Sequence, residues 1–143
     1  MIMDFSEFIE KSAHIEATYQ VTPEVYYSFQ RMSGDFNPLH TDRAFAERKG
    51  FANPVMYGNI LNGFISHFVG MMLPSRDVMI QTQDIQFRKP VFLGDEVVLK
   101  SQIEIVSECV EVINYKLKFY ARGVVIATGH VQVGLLHDKV VEI

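Results

Sequence analysis

The segment Asp35-Phe36-Asn37-Pro38-Leu39-His40 places a carboxylate and an imidazole on one short polar stretch. Pro38 fixes its own φ and pushes Asn37 out of the α region, so the backbone between the two groups is extended and stiff. Held a few ångström apart, the two groups can share one water, which is general acid/base chemistry at neutral pH. Spacing alone leaves a plainer alternative open, in which Asp35 caps the following turn and His40 is a surface residue at a helix start. A second feature is Tyr57-Gly58-Asn59, at the head of a long apolar stretch. A helix beginning there offers unpaired N–H groups and a positive dipole end, and Gly58 allows close approach of an acyl carbonyl, as in an oxyanion hole. A simple glycine N-cap on a buried helix is the alternative.

The remaining candidates carry less. His14, His130 and His137 fall in or beside expected strands with neither HxxxH nor paired cysteines, so no metal site is expected. His67 sits on the apolar helix and reads as a satisfied or edge histidine. There is no GxSxG, no P-loop and no GxGxxG, which leaves serine hydrolase, nucleotide and dinucleotide chemistry without support. Cys109 is the single cysteine; it cannot form an intramolecular disulfide, lacks a CxxC partner and reads as inert, with a cytoplasmic localisation expected. The stretch Met1 to Glu10 carries acids where a signal peptide carries bases, and reads as a short amphipathic helix.

Several elements must position the two features. His14 to Val21 suggests a first strand. Thr22, Pro23 and Glu24 supply a hydroxyl N-cap, a proline at the first helical position and an acid in the first turn, predicting a helix to about Met32 that Ser33-Gly34 ends. Thr41 or Asp42 caps a short helix through Lys49, closed by Gly50. A longer helix runs from about Gly58 to Met72, with Ile60, Leu61, Phe64, Ile65, Phe68, Val69, Met71 and Met72 forming a wide apolar face. Strands follow over Val78 to Lys89, Glu96 to Val106, Val110 to Ala121 and Val124 to Leu136, with Arg122-Gly123 as a tight turn. The order is that of an α+β chain with an antiparallel sheet packed on the helix, all within one domain, residues 1–143.

Composition agrees with this architecture. A chain of 143 residues buries roughly 70% of its unfolded surface, enough for a core without staples. Charged residues make up 21% and hydrophobic ones 48%, which fits neither disorder nor a fibrous repeat. The net charge is −4 with the basic residues scattered, so nucleic acid is not an expected partner. No Asp, Glu, Lys or Arg occurs from Phe51 to Ser75, but Asn53, Pro54, Asn59, Asn62, Ser66, His67 and Pro74 break the stretch, so no membrane insertion is expected. With no Trp, 11 Phe, 6 Tyr and 7 Met, the sequence needs a place for soft and aromatic side chains. Phe64, Phe68, Met71 and Met72 are assigned to the helix and Phe87, Phe92, Tyr115 and Phe119 to the sheet.

Taken in order, these segments resemble the MaoC-like hydratase family, the (R)-specific enoyl-CoA hydratases of the hot-dog fold. The resemblance rests on Ser33-Gly34-Asp35-Phe36-Asn37-Pro38-Leu39-His40-Thr41-Asp42 followed by Ala44-Phe45-Ala46, on Tyr57-Gly58-Asn59-Ile60-Leu61, on Ile65-Ser66 and Leu73-Pro74, and on the stretch from Phe87 to Val97. It covers about residues 14 to 136. It implies a long central helix wrapped by an antiparallel β-sheet, in a homodimer or higher homo-oligomer whose sheets join edge to edge.

By the same resemblance Asp35 and His40 are the catalytic dyad, and the Gly58 N–H meets the thioester oxygen. Ser66 is the active-site serine and Asn37 a supporting residue, and with such a substrate the helix start near Met56 and Tyr57 is expected to line an acyl tunnel, Tyr57 on the substrate side. The chain departs from the family at Tyr57 and Asn59, where His and Met commonly flank the glycine. The implied reaction is hydration of a trans-2-enoyl thioester to an (R)-3-hydroxyacyl thioester, and its reverse, on coenzyme A or on the phosphopantetheine of acyl carrier protein, with no metal or redox cofactor. Asp35 takes the proton of the attacking water; His40 holds that water and assists protonation of the α-carbon. Thioester hydrolysis and acyl-thioester binding without turnover are the other readings. The acidic net charge argues against a large basic face for acyl carrier protein, although Arg88, Lys89 or Arg122 could form a local one.

Overall fold

The computed structural model describes residues 3–139. Helix α1 (Phe5–Ser12) is capped by Asp4, whose Oδ1 accepts the Glu7 N–H at 2.8 Å. It is followed by strand β1 (His14–Gln20), helix α2 (Pro23–Ser33), the single turn α3 (Pro38–Thr41), helix α4 (Arg43–Arg48) and helix α5 (Ile60–His67). Four strands complete the chain: β2 (Val78–Phe87), β3 (Glu96–Ser107), β4 (Val112–Ala121) and β5 (Val124–Leu135). The boundaries expected for α2 hold because Thr22 accepts the Val25 N–H at 3.1 Å and Gly34 closes the helix at φ 68°. Met1 and Ile2 of the expected N-terminal helix lie outside the described residues.

All five strands form one antiparallel sheet in the order β1-β3-β4-β5-β2. Consecutive strands β3, β4 and β5 pair through short turns, while β1 returns to β3 and β2 to β5. The turn between β4 and β5 holds Arg122 at φ 51° and Gly123 at φ 75°, the two left-handed residues that a tight hairpin needs. Gly129 on β5 is required for a different reason. A Cβ there would stand 2.3 Å from the Asp84 carbonyl oxygen, so only glycine lets β2 lie this close.

The sheet packs on α5, giving the α+β hot-dog arrangement. Ile60, Leu61, Phe64 and Ile65 of α5 share one core with Val97 and Leu99 of β3, Tyr115, Leu117 and Phe119 of β4, and Val131 and Val133 of β5. Each such aliphatic or aromatic side chain contributes about 1.5–3 kcal/mol by leaving water, so this layer dominates the stability.

The long helix departs from expectation in two ways. Its last turn, Phe68–Met72, is a π-helix rather than α. Pro74 cannot continue a helix, and the Arg76 guanidinium donates to the carbonyls of Gly70 and, at 3.1 Å, of Leu73, which satisfies the widened end. Met71 is also exposed rather than core, as is Phe87 at the end of β2. No helix among the described residues is long and apolar enough to cross a membrane.

Candidate active site

The polar loop after α2 is a chain of side-chain caps. Ser33 Oγ accepts the Asp35 N–H at 3.1 Å, Asp35 Oδ1 accepts the Asn37 N–H at 3.0 Å, and Asn37 Oδ1 accepts the Leu39 N–H at 3.0 Å. Asn37 thereby caps α3, with Pro38 at its first position, and His40 emerges from that single turn. The turn-capping role weighed for Asp35 is thus real, but it occupies one carboxylate oxygen. The other, Oδ2, lies 4.0 Å from His40 Nε2, too far for a hydrogen bond. A water at ~2.8 Å from each of the two atoms fits across such a gap.

The other imidazole nitrogen fixes the tautomer. His40 Nδ1 stands 2.6 Å from the Val55 carbonyl oxygen, which can only accept, so Nδ1 carries the proton. In the neutral ring Nε2 is therefore a lone pair turned toward Asp35. His40 is mostly enclosed, 16% exposed against 44% for Asp35, so the pair has one sheltered and one solvated member.

Four hydrogen bonds hold this geometry. The Val55 N–H donates to the Leu39 carbonyl at 3.0 Å, and the Met56 N–H to the Val91 carbonyl at 2.7 Å, tying the strand-like run before α5 to both sides of the site. The Tyr26 hydroxyl donates to the His40 carbonyl at 2.6 Å. Burial, with Tyr57 and Tyr27 adding to it, pushes the Tyr26 phenol up to about 12, so it remains a neutral donor. Tyr57 is 2% exposed; its hydroxyl donates to the Asp35 carbonyl at 2.5 Å, and its ring stacks on the His40 imidazole at 4.2 Å between centroids.

A cleft of about 400 Å³ opens on His40, lined also by Met56, Gly58, Phe87, Arg88 and Val91. At the head of α5 the Ile60 and Leu61 N–H groups are taken by the Tyr57 and Gly58 carbonyls, each at 3.0 Å. The Gly58 N–H has no acceptor among the described residues and so remains available to a ligand. A Cβ on Gly58 would lie 2.9 Å from the Phe87 ring, so glycine is what allows that ring to stand against the helix start. A second cleft, about 340 Å³, reaches His40 along Tyr26, Tyr27, Gln30 and Phe92.

The structure therefore brings Asp35, His40 and Gly58 to one region, and Met56 lines the cleft as expected. Tyr57 does not line it: the residue is packed among His40, Tyr26 and Phe29. Asn37 serves the loop, and Ser66 lies on the exposed side of α5, outside the residues lining the cleft. His130 is held between Asp84 and Glu104, each at 3.2 Å, and His67 Nδ1 is 2.9 Å from the Tyr19 hydroxyl. Among the described residues no group of His, Cys, Asp and Glu is arranged to hold a metal ion. Arg122 is engaged by Asp95 and, at 2.7 Å, by the Pro90 carbonyl, whereas Arg88 and Lys89 border the cleft. Sequence reasoning missed Tyr26 and Gln30; their place on the helix immediately before the polar loop was the available signal.

Residues 4–124 match the MaoC like domain family, and the chain belongs to it. An (R)-specific enoyl-CoA hydratase of Aeromonas caviae is 33% identical over 109 residues, 76% of this chain and 81% of that protein. A 3-hydroxybutyryl-CoA dehydratase of Methylorubrum extorquens is 35% identical over 75 residues, 52% of this chain and 48% of that protein. The solved (R)-hydratase of A. caviae superposes with a TM-score of 0.79 at 28% identity, over 85% of this chain and 93% of that one. An R-hydratase of Pseudomonas aeruginosa shares the fold at a TM-score of 0.82 and 21% identity, over 97% and 92% of the two chains.

Proposed function

We propose that this protein interconverts a trans-2-enoyl thioester and an (R)-3-hydroxyacyl thioester by adding or removing water. The observation that carries the reading is the 4.0 Å gap between Asp35 Oδ2 and a lone-pair His40 Nε2, beside a cleft that also holds the free Gly58 N–H. Both atoms facing the gap are acceptors, so a water there donates one hydrogen to each and turns an oxygen lone pair outward. As that oxygen bonds to the β-carbon, one proton passes to the pair and the C=C electrons move to the α-carbon and thioester oxygen. Donation by the Gly58 N–H stabilises that enolate-like charge. Return of a proton from the pair to the α-carbon completes the addition. No metal or redox cofactor enters this sequence.

The same reading takes the thioester on coenzyme A or on acyl carrier protein, in the cytoplasm, with Arg88 and Lys89 as the cations bordering the cleft. It also takes the protein as a homodimer joined edge to edge through β2, whose outer side is unpaired and whose Met79 and Phe87 are exposed. Light scattering should then give twice the chain mass.

The deciding experiment mixes purified protein with short enoyl-CoA and enoyl-acyl carrier protein and follows loss of the conjugated thioester absorbance. His40→Ala should lower kcat by roughly 10²–10⁴-fold with the fold intact. Wild-type inactivity over a range of acyl lengths on both carriers overturns the reading, and release of free thiol would assign hydrolysis instead.

A further inference from the structure

Tyr57, just before α5, lies outside the cleft that Met56 and Gly58 line. Its hydroxyl has two partners: it receives the Gln30 Nε2 proton at 3.1 Å and gives its own to the Asp35 carbonyl at 2.5 Å. Its ring is stacked on His40 at an interplanar angle of 27°. The residue thus touches both members of the acid/base pair, one through the backbone and one through a ring face, while Tyr26 and Phe29 close over its remaining sides. A phenol has a single proton to donate. Because an amide N–H can only donate, Gln30 leaves that proton no competing acceptor and directs it at Asp35.

We propose that Gln30 and Tyr57 form a positioning relay that sets the Asp35 to His40 separation; this rests on the hydratase reading above. Neither residue lines the cleft that holds Gly58. Gln30 orients the phenol, the phenol holds the Asp35 backbone, and the ring holds the plane of His40. A gap that accommodates one water between two acceptors tolerates little drift, so loosening either wall lowers turnover more than binding.

The test combines kinetics with a measurement that needs no turnover. Tyr57→Phe keeps the stack and removes the tether to Asp35; it should lower kcat about 10-fold with KM within about 2-fold of wild type. Gln30→Leu should lower kcat by about 3-fold, and Gln30→Leu combined with Tyr57→Phe should cost no more than Tyr57→Phe alone, because Gln30 acts only through the phenol. Gln30→Glu should lose more than Gln30→Leu, since a carboxylate accepts the phenol proton and takes it from Asp35. By NMR the carbon-bound ring protons of His40 should keep their shifts in Tyr57→Phe and lose the stacking shift in Tyr57→Leu. Amide exchange over Asp35–His40 should quicken in Tyr57→Phe and Gln30→Leu.

Additive losses in the double variant, a raised KM with unchanged kcat, or His40 shifts indifferent to Tyr57→Leu would each overturn the relay. If wild type shows no turnover, the hydratase reading falls, and unaltered exchange in the two variants overturns the relay independently.

Discussion

Asp35 presents one oxygen to the backbone and the other to the site. This division makes its isosteric variant informative. In Asp35→Asn the amide oxygen retains the Asn37 N–H, which leaves the NH2 group at the position of Oδ2. An acceptor becomes a donor, and a water between it and His40 is held with its lone pair turned the wrong way. Asp35→Asn is therefore expected to lose at least as much kcat as Asp35→Ala, each within a roughly 10²–10⁴-fold loss, as measured by steady-state rates. Gly58 makes a parallel case. Gly58→Ala drives a methyl against the Phe87 ring, a side chain that must shift to admit it. The displaced ring and the methyl obstruct approach to the N–H, and kcat should fall by about 10²-fold, with Phe87→Ala in the same chain restoring part of it.

At the level of elements, the site is built by two short connections held from behind by regular structure. The polar loop between α2 and α4 carries the acid/base pair and the run before α5 carries the carbonyl that fixes the His40 tautomer; the two are hydrogen-bonded to each other, and the second also to the Pro90–Asp95 turn. β5 depends just as closely on β2. Gly129→Ala would push a methyl into the Asp84 backbone, which cannot rotate away as a side chain could. The expected loss is about 2–4 kcal/mol by denaturant titration, among the larger effects of a single methyl. Much of this level was legible in advance. Thr22-Pro23-Glu24 carries a helix start in its own chemistry, and Arg122-Gly123 a tight turn, because local sterics decide both. The π turn at Phe68–Met72 was not legible, since it depends on Arg76 reaching back to carbonyls whose position only the folded chain defines. For the same reason the motif announced Asp35 and His40, whereas the inward placement of Tyr57 arose from packing against Tyr26 and Phe29.

The molecule as a whole carries three tyrosines that burial holds in the neutral form. Tyr19, Tyr26 and Tyr115 are each pushed up to about 12, chiefly by desolvation; for Tyr115 the Ser12 hydrogen bond works in the opposite direction. In the unfolded chain a tyrosine loses its proton near pH 10. Between about pH 10 and 12 the unfolded state therefore binds fewer protons than the folded one, and stability falls as pH rises. The protein should hold its stability below pH 10 and unfold progressively above it, seen as tyrosinate absorbance rising together with loss of circular dichroism. Tyr115→Phe should weaken that dependence.

The bond behind Tyr115 has a consequence in time as well as in energy. Its hydroxyl and Ser12 meet at 2.7 Å across 103 residues of chain, and Phe8, one turn earlier in α1, is fully buried. On a ribosome the Ser12–Tyr115 bond must wait until β4 has emerged, β1 must wait for β3, and β2 for β5. So high a share of long-range pairing slows folding and leaves the apolar face of α5 uncovered until β3, β4 and β5 have emerged. Strand order thus sets when the apolar face of α5 can be covered as the chain is made.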